Sequence, residues 1–109
     1  MMVKVNYSPL SLEDLKSTRE YIAINLGSPK AAQNTITKIT RRIRDLEGSP
    51  EIGTRLSAIC SVESDYRFLV SDKYLVFYRY DADSVYIVRI LYGGMDYLSV
   101  LFNHINGIE

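Results

Sequence analysis

Cysteine and histidine are nearly missing from this 109-residue chain: Cys60 and His104 are the only examples. One cysteine cannot close an internal disulfide, and one cysteine with one histidine cannot supply the clustered ligands that zinc requires. The same shortage excludes a metal-dependent hydrolase, because no spaced set of acids and histidines is present. No cofactor or metal is therefore expected. Charge of one sign is lacking as well. Thirteen basic residues balance thirteen acidic ones, so no global field draws nucleic acid or a membrane surface. A basic contact surface would have to be a local patch. No segment approaches the roughly 20 consecutive apolar residues that span a bilayer. The opening "MMVKVNYSPL" lacks the long apolar core of a signal peptide. Repeats, low-complexity tracts and linkers are also absent. A single domain over residues 1–109 is expected, able to bury one modest core rather than two, and a reducing cytoplasm suits its cysteine usage.

What is present falls into two chemically distinct halves. "MVKVNY" alternates Val3 and Val5 with polar Lys4 and Asn6, the pattern of a short strand with one buried face. Ser8-Pro9 then combines a favoured N-cap with proline at the first helical position. The spacing predicts a helix from Pro9 to about Leu26, with Leu12, Leu15, Ile22 and Leu26 on its apolar face. Gly27 stops it by entering the left-handed region. Ser28-Pro29 repeats the start signal. Ala32, Ile36, Ile39, Ile43 and Leu46 follow at helical spacing, and Gly48 and Pro50 end the run. So short a connection makes the two helices an antiparallel hairpin. Residues 48–64 show no sustained period and read as a surface loop that packs Ile52, Leu56 and Ile59 inward.

Ten of the twelve aromatic residues lie between Tyr66 and Phe102. "DYRFLVS", "KYLVFYRYD" and "SVYIVRILY" are successive strand candidates, separated by the hairpin-sized turns "SDK" and "DADS". They predict an antiparallel meander, with the first strand added at its edge or as a neighbour. The helical hairpin must cover one face, since neither layer can bury its apolar side alone. The fold class is α+β in the order β-α-α-β-β-β, on a small antiparallel or mixed sheet. After "RILY", Gly93 and Gly94 let the chain leave the sheet in a conformation closed to other residues. Asp96 then caps a short C-terminal helix from Tyr97 to about His104.

The order and spacing of "YSPLSLEDLKSTREYI", "AAQNTITKITRRIRDL", "SPEIGTRL" and "YRFLVSDKYLVFYRYDADSVYIVRILYGGMDY" resemble the RelE/ParE superfamily, the toxins of bacterial type II toxin–antitoxin modules. The resemblance implies a growth-inhibiting toxin that is neutralised by a small antitoxin. It leaves two targets open. RelE-like relatives enter the ribosome and cleave mRNA as metal-independent endoribonucleases, whereas ParE-like relatives poison DNA gyrase. A catalytically inactive relative that keeps only the fold and the antitoxin contact is the alternative.

Metal-free RNA cleavage needs a base, an acid and cations for the phosphate charge. RelE-like nucleases place such cations on the concave sheet face. At two of the positions that the resemblance marks for arginine, this chain has Leu75 and Met95. Loss of one such contact costs about 10²–10³ in rate, which weakens the nuclease. Met95 is either natural to a branch that does not cut RNA or an inactivating substitution. The remaining catalytic candidates are Arg67, Arg79, Arg89 and Tyr92. Alternation puts Arg79 on a face with Leu75 and Phe77, and Arg89 on a face with Ile87 and Leu91. Each arginine either packs its stem and pairs with a carboxylate, for which Asp65, Asp81 and Asp96 are available, or it contacts phosphate. Tyr92 and Tyr97 flank the glycines and could stack on a base or fill half-buried sheet positions.

Lys38, Arg41 and Arg42, with Arg44, make the second helix locally basic. That face is either simply solvated or a contact for target or antitoxin, together with Met95 and Tyr97. Cys60 reads as a small apolar loop residue, and His104 as an exposed residue near a fraying helix end. An antitoxin would cover an apolar patch larger than roughly a few hundred Å², across which the free chain could form a homodimer.

Overall fold

The serine–proline pairs start both long helices. In the computed structural model, which describes residues 2–61 and 63–106 with side chains as far as Phe102, Ser8 Oγ accepts the Ser11 N–H at 3.0 Å and Ser28 Oγ accepts the Ala31 N–H at 3.2 Å. Helix α1 spans Pro9–Glu20 and continues as a π-helical turn, Tyr21–Asn25; helix α2 spans Pro29–Arg44. Gly27 between them has φ +67°, the left-handed stop that the sequence predicts. Helix α2 buries Ala32, Ile39 and Ile43, as its periodicity requires.

The inner face of α1 differs from the expected one. Leu12 and Leu26 are exposed by 53% and 60%, while Ser11 and Ile22 are buried and Leu15 and Thr18 are half-buried. The face is therefore 11, 15, 18 and 22, a helical stripe rolled by about one residue. Two causes act together. Small Ser11 lets the helix start lie close to the sheet, where Ser8 Oγ donates to the Val88 carbonyl at 2.8 Å. The π-turn then adds a residue to the coil, so the phase that would bring Leu26 inward is lost.

Strands β1 (Lys4–Tyr7), β2 (Thr54–Arg55), β3 (Arg67–Ser71), β4 (Tyr74–Tyr80) and β5 (Ser84–Tyr92) form one sheet in the order β1-β5-β4-β3-β2. The last three strands pair antiparallel, and β1 pairs parallel with β5 at the edge. The sheet is thus mixed, and the α+β reading holds. Strand β2 has only two residues and was not expected; it is formed by the irregular loop as that loop passes β3. Of the three loop residues expected to pack inward, only Leu56 is buried, while Ile52 and Ile59 are 44% and 52% exposed. Short 3₁₀ turns at Pro50–Ile52 and Leu56–Ala58 bend the loop too sharply for all three to point one way.

Both sheet faces are apolar. Between the helices and the sheet, Ile39, Ile43, Leu46, Leu69, Val76, Tyr78, Val85, Ile87 and Ile90 form the main core. On the opposite face Leu56, Phe77, Leu91 and Leu101 form a second, smaller cluster, roofed by helix α3, Tyr97–Asn106. A single core therefore undercounts the burial. Asp96 caps α3 through the Ser99 N–H and hydroxyl, as expected. The side chain of His104 lies outside the described residues.

Gly93 and Gly94 have no left-handed φ; among the described glycines only Gly27 does. Their need is space rather than conformation: a Cβ on Gly94 would sit 2.4 Å from the Tyr92 ring, and one on Gly93 would sit 3.2 Å from the Lys73 carbonyl.

Tyr78 ties the loop to the sheet. Its buried hydroxyl donates to the Pro50 carbonyl at 2.6 Å and accepts the Gly53 N–H at 2.9 Å. Burial, the largest cause, raises its pKa above the ordinary 10.0. Tyr78→Phe leaves both backbone groups without a partner and is expected to destabilise the fold by about 1–3 kcal/mol, measured by urea unfolding.

Candidate functional site

A groove of about 530 Å³ opens between α1 with its π-turn and the adjoining ends of β4 and β5. Tyr21 and Leu26 form one wall, Tyr74 and Tyr92 the other, and Met95 stands at the lip. Tyr74 and Tyr92 meet as direct partners in the β4–β5 ladder, Tyr74 being the first residue of β4 after the tight β3–β4 turn. Their rings stand edge to face at 6.0 Å. The turn itself is made possible by Asp72 at φ +53°, a residue type that tolerates this region. Burial raises the Tyr74 pKa, and the neighbouring Tyr92 and Tyr21 hydroxyls add to the shift. At neutral pH the Tyr74 hydroxyl is therefore protonated, a hydrogen-bond donor on an apolar lining. Among the described residues the groove's one carboxylate is Asp14.

Its floor is an ion pair. Asp14 of α1 accepts from Arg89 Nε and Nη2 at 2.8 Å each and from the Ile90 N–H at 2.9 Å. Both side chains are largely buried, 11% and 21% exposed for Asp14 and Arg89. The Arg89 pKa is raised, chiefly by the hydrogen bonds to Asp14. This bidentate geometry is the strong form of the interaction. Sequence alone put Arg89 on a face with Ile87 and Leu91, and that placement fails. The β4–β5 register steps from Phe77↔Arg89 to Tyr78↔Ile87, which leaves Val88 as a bulge. Ile87 then belongs to the helix-side core and Leu91 to the α3-side cluster.

The other candidates are scattered. Arg67 lies opposite Tyr78 on β3, hence on the helix side. Its Nη1 donates to the Gly53 and Glu51 carbonyls at 2.8 and 3.2 Å, and its guanidinium stands 5.6 Å from the Tyr80 ring centre. Arg79 follows Leu75 and Phe77 in alternation, as expected, but lies exposed beyond them and pairs with Asp65 at 3.0 Å. Tyr92 lines the groove and is half-exposed. Arg67, Arg79, Arg89 and Tyr92 thus occupy both faces and opposite ends of the sheet.

The contact residues divide in the same way. Lys38 pairs with Asp72 at 3.2 Å, and Arg42 pairs with Asp45 at 3.6 Å, while Arg41 points to solvent. Met95 belongs to the groove, 41% exposed. Tyr97 lies on the other face, its ring 5.4 Å from that of Phe77. Cys60 donates to the Leu56 carbonyl and packs against the α3-side cluster, as a small apolar residue would. No set of three metal-ligating side chains exists among the described residues.

Asp14, Tyr21, Lys73 and Tyr74 are groove residues that sequence reasoning missed. No local signal was available for Tyr74, because its place opposite Tyr92 depends on the β4–β5 register and its bulge. Nothing local marks Asp14. Asp14→Asn removes the counter-charge of a largely buried guanidinium and is expected to cost about 1.5–3 kcal/mol. Thermal unfolding measures that loss, and the double variant with Arg89→Leu should recover part of it.

The ParE toxin of type II toxin–antitoxin system, parDE, is the family whose sequence pattern matches residues 5–97. Among solved structures, one described as the chromosomal ParDE TA system from P. aeruginosa resembles this chain with a TM-score of 0.69 at 16% identity, covering 84% of this chain and 96% of that one. At that identity the likeness speaks for the fold alone. No curated protein matches the sequence. The family match spans nearly the whole sheet and both long helices, and on that ground the chain belongs to the ParE toxin family of type II toxin–antitoxin systems.

Proposed function

We propose that this chain is the toxin of a type II toxin–antitoxin module and that it inhibits growth by gripping a protein target, DNA gyrase, without cutting RNA. One observation carries the choice. The sheet face to which Leu75 belongs is closed by α3, with Phe77, Leu91 and Leu101 exposed by 0%, 5% and 6%. An RNA strand laid there would meet an apolar helix, not cations. The dispersal of Arg67, Arg79 and Arg89 over both faces and opposite ends of the sheet supports the same reading. The gyrase target comes from the ParE side of the resemblance and agrees with the family matched. Such a target requires a cytoplasmic toxin, and no described helix is long and apolar enough to cross a membrane.

The partner that neutralises it is a cognate antitoxin, and the groove beside α1 is the seat we assign to it. Tyr21, Ile24, Leu26, Tyr92 and Met95 are all large apolar or aromatic side chains exposed by 41–76%. Four of these five line the groove itself. Such a surface is left open for a partner that buries it.

Induced expression is expected to arrest growth, and the purified chain to inhibit DNA supercoiling by gyrase. Primer extension on mRNA from arrested cells should show no codon-dependent cuts, and Met95→Arg should not create them. Such cuts in either protein would reverse the assignment. Ile24→Glu, at a position 76% exposed, should weaken antitoxin binding about tenfold or more while leaving the fold intact, as read by calorimetry and circular dichroism.

A further inference from the structure

We propose that Arg55 and Arg67 form a phosphate-binding site at the outer edge of the sheet, remote from the groove. The two arginines are direct partners across the β2–β3 ladder. Opposed residues bring their Cβ atoms to within roughly 5 Å, and like charges so placed repel. The usual remedy is a carboxylate between them. Among the described residues none is within ion-pair distance of either guanidinium; Asp65, which shares their cleft, is held by Arg79 at 3.0 Å. The lining therefore carries two guanidiniums against one carboxylate that is already paired outside it, with Glu63 in the adjoining cleft beside Arg55, and the remaining repulsion between the two arginines is what an anion would relieve.

The cleft is built to receive one. It encloses about 280 Å³ between Arg55, Ser64, Asp65, Tyr66, Arg67 and Tyr80. Arg67 is fixed in place: its Nη1 is spent on the Glu51 and Gly53 carbonyls, and its plane lies by the Tyr80 ring. Among the described residues nothing accepts a hydrogen bond from its Nε or Nη2. Arg55 is exposed on a two-residue edge strand, with its whole fork available. Ser64 Oγ already accepts the Tyr66 N–H at 3.0 Å, so its own proton is free to donate. Two forks and a hydroxyl suit a tetrahedral anion. A carboxylate has only two oxygens, and one guanidinium satisfies both; a phosphate offers oxygen edges to two guanidiniums at once. The phosphate is that of a free phosphate or nucleotide, or of a nucleic-acid backbone. The site's Arg67 and Tyr80 walls continue the helix-side face, where Tyr78 lies opposite Arg67 and stacks on Tyr80.

The full-length chain, isotope-labelled, is titrated with inorganic phosphate at constant ionic strength while the arginine Nε–H resonances are followed. Saturable shifts are expected for Arg55 and Arg67 and not for the exposed helix residues Arg19 and Arg41. R55Q, whose fold circular dichroism checks, should weaken phosphate binding about tenfold or more. A parallel titration into a fluorescein-labelled DNA duplex identifies the source. Duplex binding that R55Q weakens points to a nucleic-acid backbone, and phosphate binding without duplex binding points to a free phosphate or nucleotide. Equal shifts with acetate, equal shifts at every arginine, or unchanged affinity in R55Q would overturn the proposal.

Discussion

Over the ladder that joins them, strand β5 uses one residue more than β4, and the architecture turns on where that residue sits. The extra residue, Val88, falls between Ile87 and Arg89. Before it, Val85 and Ile87 feed the helix-side core; after it, Ile90 returns to that core while Leu91 supplies the opposite cluster. A strand with strict alternation could not serve both faces in this order. The bulge also frees the local backbone for other partners. The Ile87 and Val88 carbonyls take the Ser8 N–H and hydroxyl, and the Ile90 N–H reaches Asp14. Helix α1 is thus moored at both its start and its middle to the bulged segment of β5.

That mooring decides what the surface presents. With Ser11, Leu15, Thr18 and Ile22 turned inward, the larger side chains Leu12, Ile24 and Leu26 are left outside. Burying an apolar side chain is worth about 1.5–3 kcal/mol, so a fold that leaves several uncovered leaves binding energy available to a partner. The groove beside α1 follows from the same cause, since its floor is the Asp14–Arg89 pair and its wall is the π-turn. On the far face α3 has the reverse effect. It closes the sheet face to which Leu75 belongs, with Tyr66 stacked on Phe102 at 5.8 Å and Tyr97 against Phe77. One face is open and apolar, the other is closed. This asymmetry favours a toxin that works by protein contact.

Much of this was written in local signals. The serine–proline starts, the glycine at φ +67° and the 4-3-4-3 spacing of α2 depend on neighbours within a turn or two, and they fixed the helical hairpin. Alternating aromatic and branched residues with short polar turns fixed the meander. The resemblance to toxins of this superfamily lay in the order of the same segments.

Which way side chains face, and what they pair with, was decided only by the tertiary structure. The bulge at Val88 and the π-turn at Tyr21–Asn25 each insert one residue into a period, and no local residue announces either; each changes the face of everything after it. Arg89 therefore met Asp14, 75 residues away, rather than one of the acids nearby in sequence. Arg67 turned to the helix side because its rung in the ladder is shared with Tyr78. Periodicity is a property of a segment and can be read from it. Register and ion pairing are properties of two segments at once, and they exist only when the chain has brought those segments together.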